Sequence, residues 1–198
     1  MNRRTHERNV AAALAVATLG LGAGCGEARG GRSVEANLHA VDEEKTADKL
    51  LARGKAFANV GDLTRAEQYL ALALEAGAPR EATLPFLLRV CVEAKRYRVA
   101  IDYAEPELRR HPQNTRLRFL VASLYLVTGD VISARVNLEK VVDAAPDSAD
   151  PHFALATILR DESGERMRAD RHFREYLRLA PNGGHAEEAR ASLLEVVR

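Results

Sequence analysis

Residues 115–146 read TRLRFLVASLYLVTGDVISARVNLEKVVDAAP, and the fold of the whole chain turns on how this stretch divides. Leu117, Leu120, Val121, Leu124 and Tyr125 recur at three- and four-residue spacing, which lines them along one flank of a helix. Gly129 ends that helix, because glycine enters the left-handed backbone conformation without steric penalty. A second apolar stripe follows at Ala134, Leu138, Val141 and Val142, and Pro146, which has no backbone donor, stops it. The small Ala134 lets the second helix come close to the first, while Tyr125 and Leu138 fill the space beside it. Neither helix can bury its stripe alone, so the pair has to stack on something.

Moving outward from this stretch, the same frame recurs along the chain. Ala66, Ala100, Ala134 and Ala169 are separated by 34, 34 and 35 residues. Gly54, Leu88, Ala122 and Ala156 keep the same phase, as do Phe57, Cys91, Tyr125 and Leu159 three residues later. Pro112, Pro146 and Pro181 close successive units, and Gly61-Asp62 and Gly129-Asp130 mark equivalent turns. Several residue types repeating in one register predict a stacked array of helix pairs over residues 43–181, divided near 45–79, 80–112, 113–146 and 147–181. Three departures stand out. Lys95 occupies the turn position where the first and third units have glycine, Pro106 falls inside a helix and is expected to kink it, and the fourth unit has one extra residue between Leu159 and Ala169. Beyond Asn182-Gly183-Gly184, residues 185–198 predict one more amphipathic helix, with Ala189, Leu193 and Val196 on one side, which caps the array within residues 182–198.

This repeat resembles the tetratricopeptide repeat, most closely in the first unit through Leu50, Gly54, Phe57, Gly61, Ala66, Leu70, Ala73 and Pro79, although the tryptophan usual in that family is absent. The resemblance implies an all-α, right-handed superhelical solenoid of about four helix-turn-helix units plus a C-terminal capping helix. It also implies a concave surface, lined by the first helix of each unit, that binds a protein or peptide. Carried over onto this chain, that surface includes Leu51, Lys55 and Asn59, then Phe86, Arg89 and Glu93, then Phe119, Ser123 and Leu126, and finally Phe153 and Arg160. Phe86, Phe119 and Phe153 lie 33 and 34 residues apart. They either form a ladder of aromatic anchors in a groove or pack neighbouring first helices together. Apart from Lys55, the Lys and Asn set by which some family members clamp a terminal carboxylate is not reproduced.

The first 25 residues follow a different grammar. Arg3, Arg4 and Arg8 form a basic tip, residues 10–24 are uncharged and mostly apolar, and Cys25 follows. About 15 helical residues reach roughly 22 Å, short of a hydrocarbon core of roughly 30 Å, so residues 1–24 predict a removable signal peptide. The segment Leu21-Gly22-Ala23-Gly24-Cys25 resembles the lipobox of bacterial lipoproteins, with Gly22 where that family usually has leucine. This implies lipidation at Cys25, and Gly26 in place of aspartate implies sorting to the outer membrane, facing the periplasm. Residues 25–42, with Gly26, Gly30 and Gly31, then predict a flexible lipidated tether. One thiol remains, Cys91, within an apolar run that predicts a small buried side chain.

Composition excludes other classes. Removing residues 1–24 takes away Arg3, Arg4, Arg8 and Glu7 and leaves 26 basic against 27 acidic residues, without the clustered positive excess that nucleic acid requires. His39, His111, His152, His172 and His185 are scattered, with no spacing suited to a metal, no phosphate loop and no nucleophile set, so the expectation is a non-enzyme without cofactor or small-molecule substrate. The arginines at 166, 168, 171, 174 and 178 are interleaved with Glu165, Asp170 and Glu175 and predict a solvated helix face. The expected function is a lipid-anchored adaptor in the bacterial envelope, serving assembly of a pilus, secretin or outer-membrane complex. Two alternatives stand beside it: a soluble periplasmic chaperone-like protein, and a cell-wall enzyme or enzyme subunit with dispersed catalytic residues.

Overall fold

The computed structural model describes residues 46–162 and 164–194. The expected signal peptide, the expected lipidation site Cys25, the expected tether and the last four residues, including Val196, lie outside the described residues. Every regular element described is an α-helix. In chain order, α1 (Ala47–Asn59) and α2 (Leu63–Glu75) form the first hairpin, and α3 (Arg80–Glu93) and α4 (Tyr97–Arg110) the second. The third pairs α5 (Thr115–Thr128) with α6 (Val131–Ala144), and the fourth pairs α7 (Ala149–Asp161) with α8 (Arg166–Leu179), followed by the short α9 (Ala186–Ala191). Each helix packs mainly on the one before and the one after it, the pattern of a solenoid.

Sequence dictates the turn inside each hairpin. The backbone is left-handed at Gly61 (φ +78°), Lys95 (φ +57°), Gly129 (φ +81°) and Gly164 (φ +62°), four positions in the 34- and 35-residue register. In the first three, the residue after the left-handed one donates its N–H back five residues, Asp62 to Phe57, Arg96 to Cys91 and Asp130 to Tyr125, at 2.8–3.0 Å. These bonds satisfy carbonyls that the helix end would otherwise orphan. In the fourth turn the extra residue shows: Glu165 reaches back six residues, to the Leu159 carbonyl, at 2.8 Å. Asp62 and Asp130 then cap the next helix by accepting the N–H of Arg65 and Ser133 at 3.0 Å, and those backbone bonds hold both carboxyls below their ordinary range.

Lys95 alone among the described non-glycine residues takes this conformation, where its Cβ crowds the backbone. Its side chain is exposed, and the conformation is held by the backbone bonds of the turn, from Lys95 N–H to the Val92 carbonyl at 2.9 Å and from Arg96 N–H to the Cys91 carbonyl at 2.8 Å, which glycine would keep. Lys95→Gly is therefore expected to stabilise the chain by about 1 kcal/mol, a rise of about 2–4 °C in melting temperature. An unchanged or lower midpoint would show that the turn carries no strain.

Among the described residues the core falls into three clusters, the smallest of which joins Leu50 of α1 to Ala73 of α2 and to Ala78. One cluster joins Ala66 and Leu70 of α2 to Leu84, Leu87, Val90 and Cys91 of α3, Ala100 and Ala104 of α4, and Leu117, Val121 and Leu124 of α5. A second begins on another face of α5 at Ala122 and continues through Ala134, Leu138, Leu155, Leu159, Phe173 and Tyr176 to Ala186 and Ala189 of α9. Cys91 is fully buried, and burial pushes its thiol up to about 12, so it is inert at neutral pH. The arginine-rich face of α8 is engaged within the molecule: Arg168 bridges Glu165 and Glu139, Arg174 meets Asp170, and Arg178 meets Glu175. Exposed pairs of this kind add little stability, but they keep the face solvated.

Helix α4 contains Pro106, as expected, and runs on to Arg110. One local outcome modifies the sequence reading. The last helix is shorter than its pattern predicts: α9 ends at Ala191, and the Leu194 N–H is bonded to the Asp170 carboxylate at 2.8 Å rather than continuing a helical ladder. Leu193 still packs against the second cluster.

Candidate peptide-binding groove

Residue 54 and its equivalents control how closely the two helices of a hairpin approach. A Cβ on Gly54 would lie 2.7 Å from Leu70 Cγ and 3.1 Å from the Leu70 backbone nitrogen, so only glycine permits the observed spacing of α1 and α2. Ala122 and Ala156 serve similarly in the third and fourth hairpins and are fully buried. In the second hairpin the position holds Leu88, and α3 and α4 lie less closely against each other than the helices of the other three pairs.

Beside Leu88 a cleft of about 870 Å³ opens between α3 and α5. Leu84, Pro85, Leu88 and Val92 form one wall, Leu117 and Leu120 the other, and Arg89 and Arg116 stand on the rim. At its end Glu107, only 8% exposed, accepts from Arg80 Nε at 3.0 Å and lies 3.3 Å from His111 Nε2. The pairing of Arg80 with the nearly buried Glu107 ties the start of α3 to the last turn of α4.

The residues expected on the concave surface fall into separate settings. Lys55 of α1 places its Nζ 4.4 Å from the Phe86 ring centroid, and Arg89 places its guanidinium 5.0 Å from it, so these three residues come together. Leu51 packs against the core beside them, Asn59 is exposed at the end of α1, and Glu93 is exposed 3.9 Å from Arg89. Phe119 is half-buried on α5 and lines a smaller cleft of about 310 Å³ with Arg116, Val141 and Pro151. Ser123 donates to the Phe119 carbonyl at 2.9 Å, and Leu126 packs into the second core cluster. Phe153 is stacked on His185 at 4.1 Å between centroids and also touches Phe173 and Tyr176. Arg160 bridges Asp161 and Glu188 and donates to Ser192, binding α7 to α9.

Pro85, Val92, Arg116 and Leu120 were not among the residues expected on the concave surface, though one signal existed. Pro85, not Phe86, lies one 34-residue step before Phe119, and a shift of one residue rotates a side chain by about 100° around a helix. That rotation separates the cleft wall from the ring that faces Lys55.

A titratable contact joins the third and fourth hairpins. His152, 6% exposed, has Nε2 2.9 Å from the Pro146 carbonyl and Nδ1 2.9 Å from His172 Nδ1. A carbonyl only accepts, so His152 carries its proton on Nε2 and accepts from His172 through Nδ1. Burial, the adjacent His152 and the nearby Arg168 and Arg171 lower the His172 pKa from its ordinary 6.5, with Glu139 opposing. Because the folded pKa lies below the unfolded one, the stabilisation is complete above pH 6.5 and declines as pH falls below it. Chemical denaturation at pH 7.5 and pH 5.5 should therefore show a loss on acidification that His172→Gln reduces. An equal loss in the variant would place the pH dependence elsewhere.

Among the described residues, no group of three or more His, Cys, Asp or Glu side chains is placed to hold a metal ion, and no helix is long and apolar enough to cross a membrane. No protein-family model matches the chain, and no curated protein matches it. Solved structures do. YrrB, described as a tetratricopeptide-repeat protein with an unusual peptide-binding site, is 17% identical with a TM-score of 0.65, over 79% of this chain and 81% of its own. MamA from Desulfovibrio magneticus RS-1, residues 41 to the end, is 21% identical with a TM-score of 0.61, over 76% and 86%. A tetratricopeptide repeat protein from Parabacteroides merdae is 21% identical with a TM-score of 0.66, over 74% of this chain and 58% of its own. Paired helices in a 34-residue register, a left-handed turn in each pair and these structural likenesses together establish that the chain has the fold of a tetratricopeptide-repeat solenoid.

Proposed function

We propose that this protein is a non-catalytic adaptor that binds a segment of another protein along the inner face of its solenoid. The observation that carries this reading is the cleft between α3 and α5, with apolar walls and an arginine rim, on the helices that line the inner face in this fold. The peptide-binding site named for the similarly folded YrrB is in keeping with it. A photo-cross-linking residue placed at Val92 should capture a partner in cells, whereas one at the exposed Ile132 of α6 should not. Equal capture from both positions would refute the groove reading. Phe119→Glu, in the smaller neighbouring cleft that shares Arg116, should weaken capture about tenfold while helical content is unchanged. A loss of more than about 2 kcal/mol in stability would instead assign that ring to the core.

The same proposal places the adaptor on a lipid anchor at Cys25, at the outer membrane facing the periplasm, where it serves assembly of an envelope complex such as a pilus or secretin. Support comes from the basic tip, the short apolar stretch and the small residues before Cys25. Labelled palmitate should enter the wild-type chain and not Cys25→Ser; labelling of neither would favour the soluble periplasmic form.

A further inference from the structure

We infer that the cleft between α3 and α5 takes an extended peptide of about six residues in which leucine-sized side chains alternate with carboxylates. This rests on the adaptor reading and adds to it the chemistry of the bound segment. The α3 wall of the cleft runs from Arg80 to Val92, about 18 Å, which an extended strand of about six residues at about 3.3 Å each covers, and the first two turns of α5, from Arg116 to Leu120, face it. Its volume of about 870 Å³ lies in the range of roughly 300–1,000 Å³ found for ligand pockets. Alternate side chains of such a strand point to opposite faces, so one set enters between Pro85, Val92 and Leu120 while the other meets the rim.

Charge on the rim decides what that second set is. Arg80 is already engaged by Glu107, and His111 lies against the same carboxylate. Arg116 has no ion pair or hydrogen bond from its side chain among the described residues, and Arg89 has only the 3.9 Å approach of Glu93. Arg116 also sits in the first turn of α5, where the helix dipole is positive and a cation is disfavoured unless an anion compensates it. Lys55 adds a third positive charge at the neighbouring Phe86. Against these three stand two carboxylates, Glu81, exposed at the start of α3, and Glu93 beside Arg89. The balance is positive, so a carboxylate gains and an ammonium loses on entering.

Three fluorescein-labelled octapeptides test this on the full-length chain purified in detergent: alternating leucine and glutamate, leucine and lysine, and serine and glutamate. Anisotropy should show binding of the first alone. That binding should weaken about tenfold on raising salt from roughly 50 to roughly 500 mM, and about tenfold in Arg116→Glu with unchanged circular dichroism. Binding of the leucine–lysine peptide, or indifference to Arg116→Glu, overturns the inferred chemistry and leaves the adaptor reading standing. Failure of all three peptides while Val92 still cross-links to a partner does the same. Failure of the peptides together with loss of that cross-link overturns both.

Discussion

Phe173→Ala is expected to remove about 3–5 kcal/mol of stability, and to do so unevenly along the chain. The ring is completely buried on α8, edge-on to Phe153 at 5.8 Å between centroids, with the Arg160 guanidinium 5.4 Å from its centre. Deleting it forfeits the transfer of an aromatic side chain out of water and leaves a void that Leu155, Leu159 and Tyr176 cannot close, because their own positions are set by neighbouring helices. A whole domain of this size is stable by about 5–15 kcal/mol, so the loss is a large fraction of the total. In a solenoid each hairpin is sustained chiefly by its neighbours, so the damage should concentrate in α7, α8 and α9. Hydrogen exchange read peptide by peptide should show protection lost across 149–191 and retained across 63–110. A uniform loss over all hairpins would mean that the array unfolds as one unit and that nearest-neighbour packing does not describe it.

Gly54→Leu is expected to cost about 3 kcal/mol, at the upper end of what overpacking usually does. The first added carbon alone lies 2.7 Å from Leu70 Cγ and 2.9 Å from Leu70 Cδ2, and Leu70 is itself completely buried. Leu70 cannot turn away cheaply, and its backbone nitrogen at 3.1 Å means that α2 as a whole would have to retreat. Leucine nevertheless stands at the equivalent position 88, where α3 and α4 are set further apart. The substitution thus asks the first hairpin to adopt the spacing of the second without the residues that fill it there. Denaturant midpoints for Gly54→Leu and for the milder Gly54→Ala should fall in that order, both below wild type. If Gly54→Leu were as stable as wild type, helix spacing would not be governed by this position and Leu88 would not explain the wider second hairpin.

These two substitutions also separate what could be read early from what could not. The paired helices, their register and the left-handed turns followed from periodicity and from Gly61 and Gly129, and even Lys95 was recognisable as standing in a glycine position. The candidate surface was legible only in part. Lys55, Phe86 and Arg89 meet, but Phe153 is covered by His185, which reaches back from beyond α8. Nothing in the spacing of phenylalanines announces that, because the covering residue belongs to no repeat. The final helix was overestimated for a related reason: its apolar spacing suits a longer helix, but Asp170, on another element, takes the Leu194 N–H.

What the amino-acid order determined without help is the backbone frame of the four helix pairs: where the chain must turn, and which flank of each helix needs cover. Those are local matters, set by side-chain spacing over a few turns and by the backbone conformations that glycine, proline and aspartate allow. Only the tertiary structure decided where cover falls short. The gap beside Leu88 arises from the volumes of side chains on α3, α4 and α5 meeting across two hairpins, and closeness in space between residues distant in the chain is set by how those volumes pack together.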